Sequence, residues 1–268
     1  MKIIIISASS DIGYELCKHW IAQGHEVRAT YRNLSSNLAS LTSNKLSLLH
    51  CDLSSQESIE RATLTLSEFS DWDQLVVCPG TMIPIGSFEN INFKEWQDSF
   101  QINLFAQMQL THSLLPSRNK TGNTGVIFFA GGGTNSAPIN FSAYTLAKVT
   151  LIKACELLNE EMNDCKFTIL GPGWVKTKIH QETLLAVDSA GAKEATEHKY
   201  ATDNEWTSFE DIACCCDWVF EASKSEVGGR NFSVVHDNWR NNQLSKKLQN
   251  NSSLGKLRRA GNDELIHQ

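Results

Sequence analysis

Tyr144 and Lys148 stand four residues apart in the segment "YTLAK". Side chains at this spacing share one face of a helix, so the lysine ammonium can lie beneath the tyrosine hydroxyl. A nearby ammonium stabilises the phenolate and thereby lowers the pKa of the tyrosine. Such a tyrosine can donate a proton to a carbonyl during reduction, or accept one from an alcohol during oxidation. The pair therefore predicts a proton-transfer site, with a buried core tyrosine beside an exposed lysine as the alternative.

A second candidate site is the segment "ISASSDIG", which follows the first apolar run and opens a predicted helix. Small residues at such a turn let backbone N–H groups approach a phosphate at the helix N-terminus. Gly13 is its glycine, and Ser7, Ser9 and Ser10 add hydroxyl donors. The carboxylate of Asp11 would repel a pyrophosphate, so we expect it to turn away and cap the helix. The segment predicts a phosphate-binding turn, with an ordinary strand–turn–helix as the alternative.

Charged residues end the next two predicted strands. Arg32 follows Tyr31 at the end of the second strand, nineteen residues after Gly13. At this position an acidic side chain suits a free ribose 2′-hydroxyl, whereas an arginine suits a 2′-phosphate. Asp52 ends the third strand, where its carboxylate can accept a hydrogen bond from an adenine amino group. These residues predict NADP(H) as cofactor in preference to NAD(H).

The elements that must position these residues alternate along the chain. Seven apolar runs predict strands: "KIIIIS", "EVRATY", "LSLLHCD", "QLVVCPG", "GVIFFAG", "KFTILGPG" and "RNFSVV". Helical patterns between them predict a doubly wound parallel sheet, a Rossmann-type three-layer α/β/α fold in a single domain. Ligands of such sheets bind beyond the carboxyl ends of the strands. The candidate residues there are Ser7, Arg32, Asp52, Gly80, Gly131 and Pro172.

Capping signals predict where the helices begin. The first helix is expected over residues 11–23, and the helix after the fifth strand over 143–161. Capping boxes are expected at Ser54-x-x-Glu57 and Thr207-x-x-Glu210, and one long helix from Asn92 to Pro116. Residues 178–206 are polar and weakly patterned, which predicts either a substrate lid or a plain surface insertion.

Composition limits the class of protein. Hydrophobic residues make up 41% of the 268 residues, which is enough for a large core, and the net charge is −6. This charge argues against nucleic acid as a partner, because no basic stretch could neutralise several phosphates. No apolar run approaches the length of a membrane span, and the first one is too short for a signal peptide. The eight cysteines contain no CxxC pair, so we expect small buried side chains in a reducing cytoplasm, without disulfides or metal.

Several motifs together resemble the short-chain dehydrogenase/reductase family over residues 1–238. "SASSDIG" is similar to the family's glycine-rich turn, "CDLSSQES" to its adenine-site segment, and "GPGWVKT" to its Pro-Gly segment beside the nicotinamide. "YTLAK" matches the family's Tyr-x-x-x-Lys in full, and "INL" carries a matching asparagine, Asn103. In "VVCPG" only Gly80 matches the Asn-Ala-Gly motif, since Cys78 and Pro79 replace the first two residues.

The resemblance implies a role for each matching residue. It implies that Lys148 holds the nicotinamide ribose and that Asn103 holds a water that feeds protons to Lys148. It also implies that the helices bearing Asn103 and Tyr144 pack between subunits, so we expect a homodimer or homotetramer. The predicted cofactor-binding residues are Ser7, Ser9, Ser10, Ile12, Gly13, Arg32, Asp52, Leu53, Gly80, Tyr144, Lys148, Pro172, Gly173, Val175 and Thr177.

The sequence departs from the family where a serine is expected thirteen residues before the tyrosine. Gly131 stands there, and it has no side chain to donate to the substrate oxygen. Losing one such donor slows catalysis by about 10²–10³. Thr134 is the predicted catalytic replacement, with Ser136, a water molecule or the N–H groups of Gly131–Gly133 as alternatives. Three glycines also leave room for a bulky or polar group of the substrate.

Two functions fit these residues. The first is an NADP(H)-dependent oxidoreductase that transfers a hydride to a carbonyl, or from an alcohol, of a small polar, sugar-like substrate. The second is a nucleotide-binding protein of this fold with weak or no catalysis, acting as a sensor or scaffold. Polar lid residues such as Lys178, His180 and Trp206 suggest a polar or anionic ligand. Residues 239–268 are expected to form a polar tail, either loose or packed on a neighbouring subunit.

Overall fold

The computed structural model describes residues 1–41, 43–186, 191–202 and 206–259. Within these ranges seven parallel strands form one sheet in the order β3-β2-β1-β4-β5-β6-β7, which confirms the predicted doubly wound α/β fold. The strands are β1 (Lys2–Ile6), β2 (Glu26–Tyr31), β3 (Leu46–His50), β4 (Gln74–Val77), β5 (Gly125–Phe129), β6 (Lys166–Gly171) and β7 (Arg230–Ser233).

Helices cover both faces of this sheet. They are α1 (Asp11–Ala22), α2 (Ser36–Ala39), α3 (Gln56–Ser67), α4 (Phe93–Phe100), α5 (Ala106–Leu114), α6 (Ser142–Glu161), α7 (Ile179–Leu185), α8 (Ala192–Thr202), α9 (Phe209–Glu221), α10 (Lys224–Val227) and α11 (Asn242–Asn250). None of the described helices combines the length and apolar character needed to cross a membrane.

Strand β1 shows why its isoleucine run forms a central strand. Successive strand side chains point to opposite faces, so Ile3 and Ile5 enter one core and Ile4 and Ile6 the other. All four are fully buried. The first core lies against α1 and α9, and the second against α3, α5 and α6. The sheet is therefore fixed from both sides, which holds its carboxyl edge rigid.

Helix starts agree with the predicted positions within one residue. Asn92 caps α4 as predicted, by accepting a hydrogen bond from the Lys94 N–H. The cap of α3 is Ser55 rather than Ser54, and that of α9 is Ser208 rather than Thr207. The two predicted capping boxes are therefore wrong: Ser55 and Ser208 cap these helices alone, by accepting from the N–H groups of Ser58 and Asp211.

The predicted long helix over 92–116 is interrupted. A π-helical turn over Gln101–Phe105 separates α4 from α5, and a 3-10 turn over Leu115–Ser117 follows. Bulges of this kind often occur at functional sites, since the extra residue re-aims a side chain. Here the turn contains Asn103, which is completely buried.

The predicted tail packs on its own domain as far as residue 259. The Arg230 guanidinium donates to the carbonyl oxygens of Leu248 at 2.8 Å and Asn251 at 3.2 Å. Arg258 pairs with Glu156 on α6 at 2.6 Å, and this interaction lowers the pKa of the Glu156 carboxyl to about 2. This part is therefore not loose, because charged side chains bind it to β7 and α6. Residues 260–268 lie outside the described residues.

Candidate active site

A single cavity of about 730 Å³ opens along the carboxyl edge of the sheet. Its nucleotide end lies at the turns after β1, β2 and β3, and its substrate end at the loop after β5 and at helices α7 and α8. Fourteen of the predicted cofactor-binding residues line it: Ser7, Ser9, Ser10, Ile12, Arg32, Asp52, Leu53, Gly80, Tyr144, Lys148, Pro172, Gly173, Val175 and Thr177. The sheet brings together residues that are far apart in the sequence.

Gly13 lies behind the nucleotide end rather than on the cavity wall. A Cβ atom at Gly13 would stand 2.3 Å from the Ser7 carbonyl oxygen, so no other residue fits. Ser7 itself adopts the left-handed conformation, with φ of 68°. Ser10 caps α1 by accepting from the Gly13 N–H at 3.1 Å. The turn therefore has the close packing and the helix N-terminus of a phosphate-binding turn, despite its serines.

Asp11 does not cap α1, contrary to the prediction, because Ser10 already fills that role. Its carboxylate instead accepts a hydrogen bond from the Lys178 backbone N–H at 2.6 Å, and the Lys178 ammonium lies 3.6 Å away. The carboxylate is thus bound by the segment after β6, while Asp11 remains in the first turn of α1. Asp11 links the phosphate-binding turn to the start of the lid.

Arg32 and Asp52 occupy the far part of the nucleotide end. Arg32 is exposed, and its backbone N–H donates to the Ser9 hydroxyl at 3.3 Å. Burial acts to raise the pKa of Asp52, but hydrogen bonds from Ser54 and the charge of Arg32 outweigh it and lower that pKa. A guanidinium and an ionised carboxylate therefore flank this part of the cavity.

Asn103 holds the loop after β4 in place. Its Nδ2 donates to the Thr81 carbonyl oxygen at 2.8 Å, and its Oδ1 accepts from the Thr81 N–H at 3.0 Å. The π-helical turn directs the side chain toward this loop. Both polar atoms of the amide are used in positioning the backbone beside Gly80.

Lys148 is buried beneath the same loop. Its ammonium donates to the carbonyl oxygens of Phe129 at 3.0 Å and Pro79 at 3.2 Å, and it lies 5.9 Å from the centroid of the Tyr144 ring. Burial lowers the pKa of Lys148 to about 8. Burial raises the pKa of Tyr144 to about 12, and the charge of Glu182 acts in the same direction. Burial therefore outweighs the lowering of the tyrosine pKa that was predicted from the nearby ammonium.

Tyr144 fills the space that a side chain at position 131 would need. A Cβ atom on Gly131 would lie 2.5 Å from the Tyr144 hydroxyl oxygen and 2.6 Å from Cζ. At Gly132, by contrast, a Cβ atom would meet nothing within 4 Å. The glycine thus allows the tyrosine ring to rest against the backbone of the loop.

The structure does not bring Thr134 to the cavity wall, and Ser136 is absent from it as well. Thr145 does line the cavity, and its hydroxyl has no hydrogen-bond partner in the described part of the chain. Sequence reasoning missed Thr145 because it considered only hydroxyls on the glycine-rich loop. The signal was available, since Thr145 is the residue next to Tyr144.

The described part of the predicted lid forms helices α7 and α8, which close the substrate end. The rings of Trp174 and His180 stack with centroids 5.0 Å apart, and Trp206 meets the His180 ring edge-on at 5.7 Å. Glu182 on α7 also lines the cavity, and sequence reasoning missed it. In the ranges that the structure describes, no cluster of three or more His, Cys, Asp or Glu side chains could hold a metal ion.

The model of the short chain dehydrogenase family matches residues 1–188. This chain belongs to that family. Serine 3-dehydrogenase of Agrobacterium fabrum is 25% identical over 228 residues, which are 83% of this chain and 88% of that protein. Human dehydrogenase/reductase SDR family member 4 is 24% identical over 187 residues, covering 66% of this chain and 67% of that one.

Solved structures agree on the fold of this short chain dehydrogenase. A short chain dehydrogenase/reductase from Saccharomyces cerevisiae superposes with a TM-score of 0.78 at 18% identity, covering 91% of this chain and 98% of that one. The family assignment makes the chain an oxidoreductase of the NAD(P)-binding class. It indicates the type of reaction that the cavity residues perform, but not the substrate.

Proposed function

We propose that this short chain dehydrogenase uses NADP(H) to transfer a hydride to a carbonyl, or from an alcohol, of a small polar substrate. The observation that carries the proposal is that the Tyr144 hydroxyl and the phosphate-binding turn face one continuous cavity. Arg32 at the nucleotide end supports the choice of NADP(H), because a guanidinium pairs well with a 2′-phosphate.

The cavity residues fit a dinucleotide. The backbone N–H groups at the start of α1 would hold the pyrophosphate, and Gly13 lets the turn pack closely behind them because it has no side chain. Asp52 and Leu53 would enclose the adenine, and Pro172 to Thr177 would lie beside the nicotinamide. The bound cofactor would supply or accept the hydride.

Tyr144 would move the proton that accompanies the hydride. Because burial keeps its pKa near 12, the hydroxyl is protonated at neutral pH and suited to donate to a carbonyl. The charge of Lys148, held by Phe129 and Pro79, would bind the cofactor ribose and stabilise the phenolate left after donation. Asn103 would act as a positioning residue, through the loop at Thr81.

The missing serine has two replacements that the cavity wall supports. Thr145 lines the cavity, and its buried hydroxyl has no partner among the described residues. Gly131 and Gly132 line the cavity as well, and their backbone N–H groups would be the second replacement. Thr134 remains a prediction that would need the loop to move toward the substrate.

The test is NADPH consumption with a panel of small carbonyl compounds, combined with NADPH binding measured by fluorescence. An active enzyme should oxidise NADPH with some member of the panel, and Tyr144→Phe should bind NADPH normally but turn over slowly. The second candidate is a nucleotide-binding protein without catalysis, which the lack of a hydroxyl at Gly131 favours. Normal binding with no turnover on any compound would support that second function.

We also propose that the protein forms a homodimer or homotetramer through α4, α5 and α6. Large apolar side chains are exposed near or on these helices, among them Phe88, Phe93, Phe105, Leu146 and Leu157. Exposed apolar surface of this extent is uncommon on a monomer. Sedimentation analysis of the purified chain would decide, and a monomer at micromolar concentration would contradict the proposal.

A further inference from the structure

The substrate end of the cavity contains a carboxylate with a fixed position. The Glu182 carboxylate accepts a hydrogen bond from the Met82 backbone N–H at 2.6 Å and from the Thr81 hydroxyl at 3.1 Å. Thr81 is itself held by Asn103. Glu182, on α7, is therefore bound to the same loop that Asn103 positions.

The cations on the cavity wall have other partners or act on Glu182 only from a distance: burial raises the pKa of Glu182, and the charge of Arg32 only partly opposes this. Asp11 and Lys178 pair with each other. Lys148 donates to two backbone carbonyls. Arg32 lies at the nucleotide end. Among the described lining residues, no lysine or arginine forms an ion pair with Glu182.

Aromatic rings line the same cavity as this carboxylate. Trp174 and His180 both line the cavity and stack on each other. Burial lowers the pKa of His180, so at neutral pH this imidazole brings no positive charge. The faces of indole rings attract cations. A cavity that contains both a buried carboxylate and such rings suits an ammonium group better than an anion.

We propose that Glu182 selects substrates that carry an ammonium group close to the reacting hydroxyl or carbonyl. The proposal rests on the oxidoreductase function proposed above and names its substrate class as amino alcohols and amino ketones. An ionised carboxylate offers about four acceptor positions, so the contacts to Thr81 and Met82 leave room for a further donor. The substrate's ammonium would supply the ion-pair partner that Glu182 lacks among the described lining residues, while its hydroxyl faces Tyr144.

The experiment compares matched alcohols that differ in one group. With NADP⁺, the probes are 1-amino-2-propanol, 1,2-propanediol and lactate, and the larger series 2-amino-1-phenylethanol, 1-phenyl-1,2-ethanediol and mandelate. We expect kcat/KM to decrease in the order amine, diol, acid within at least one series. Glu182→Gln should lower kcat/KM for the amine by roughly ten- to a hundredfold, as for a lost charged hydrogen bond, and change the diol much less.

A matched control separates local recognition from a change of overall charge. Glu197→Gln removes the same charge from the exposed surface of the neighbouring lid helix α8, outside the cavity wall, and should leave all probes unchanged. NADP⁺ affinity should be unchanged in both variants. An equal loss on amine, diol and acid in Glu182→Gln would show that Glu182 only holds the lid, and would overturn the proposal.

Two further outcomes separate this proposal from the general function. Turnover of the diol or acid in preference to the amine overturns the ammonium proposal alone. If no alcohol is oxidised, NADPH is supplied with 2,3-butanedione and 1-phenyl-1,2-propanedione. Reduction of a dione then leaves the oxidoreductase function intact but overturns the ammonium proposal, whereas no hydride transfer in either direction contradicts both.

Discussion

The nucleotide end of the cavity is built from turns that directly follow β1, β2 and β3, whereas the substrate end is built from segments that meet only in the folded chain. At the nucleotide end, Ser10 and Gly13 interact within one turn. At the substrate end, Glu182 contacts Thr81, which is 101 residues away in the sequence. We therefore expect substitutions at the nucleotide end to change cofactor binding, and substitutions at the substrate end to change turnover.

The largest expected effect is that of Tyr144→Phe. This change removes one hydroxyl at the junction of the two ends and should lower kcat by about 10²–10⁴, the range for general acid catalysis. NADPH affinity measured by fluorescence should stay within about twofold, because the ring is kept. A variant that keeps most of its turnover would show that another group donates the proton.

The pH dependence should differ between the two directions of the reaction. Since the pKa of Tyr144 is about 12, reduction should be nearly constant from about pH 6 to 8, where the donor is protonated. Oxidation needs the phenolate. As long as the pH is below that pKa, the phenolate population rises about tenfold for each unit by which the pH increases. Loss of the Lys148 proton near pH 8 should flatten this rise. A bell-shaped oxidation profile centred below pH 7 would contradict the assignment of Tyr144 as the base.

Gly131→Ser tests how closely the substrate end is packed. The new Cβ atom would stand 2.5 Å from the Tyr144 ring, so the ring must move. We expect a lower kcat, and a free energy of unfolding reduced by about 1–3 kcal/mol because of overpacking. Gly132→Ser is the matched control, because a Cβ atom there meets nothing within 4 Å. If Gly131→Ser raises activity instead, the protein is a former enzyme that lost its serine.

Arg32→Ala should act at the nucleotide end alone. Loss of the guanidinium should weaken NADPH by roughly ten- to a hundredfold, as expected for a charge-assisted contact, and should hardly affect NADH. The readout is the ratio of the two dissociation constants, with kcat at saturating cofactor nearly unchanged. Equal losses for both cofactors would remove Arg32 from the 2′-phosphate site.

The same contrast explains what the sequence alone could predict. The isoleucines of β1 are apolar on both faces, and this pattern suffices to predict a central parallel strand. Tyr144 and Lys148 could be found because a helix fixes their spacing. The pKa of Tyr144 could not be predicted from the sequence, since it depends on burial and on Glu182, which reaches the site only through the packing of α7. The role of Gly131 was equally hidden, because the tyrosine ring that fills its space comes from another element.

The smallest expected effect concerns Asp11, which connects the two ends. Its carboxylate binds the Lys178 backbone and lies at the N-terminus of α1, close to where a pyrophosphate would bind. Asp11→Asn removes the repulsion of the phosphates while the side chain can still accept the Lys178 hydrogen bond. Partly exposed ion pairs contribute about 0.2–1 kcal/mol, so we expect NADPH to bind up to about fivefold more tightly and the substrate KM to change less than that. Asp11→Ala should instead raise the substrate KM, because the link to the lid is lost as well. If both variants weaken NADPH, the carboxylate supports the turn rather than opposing the phosphates, and the two ends are less separable than the structure indicates.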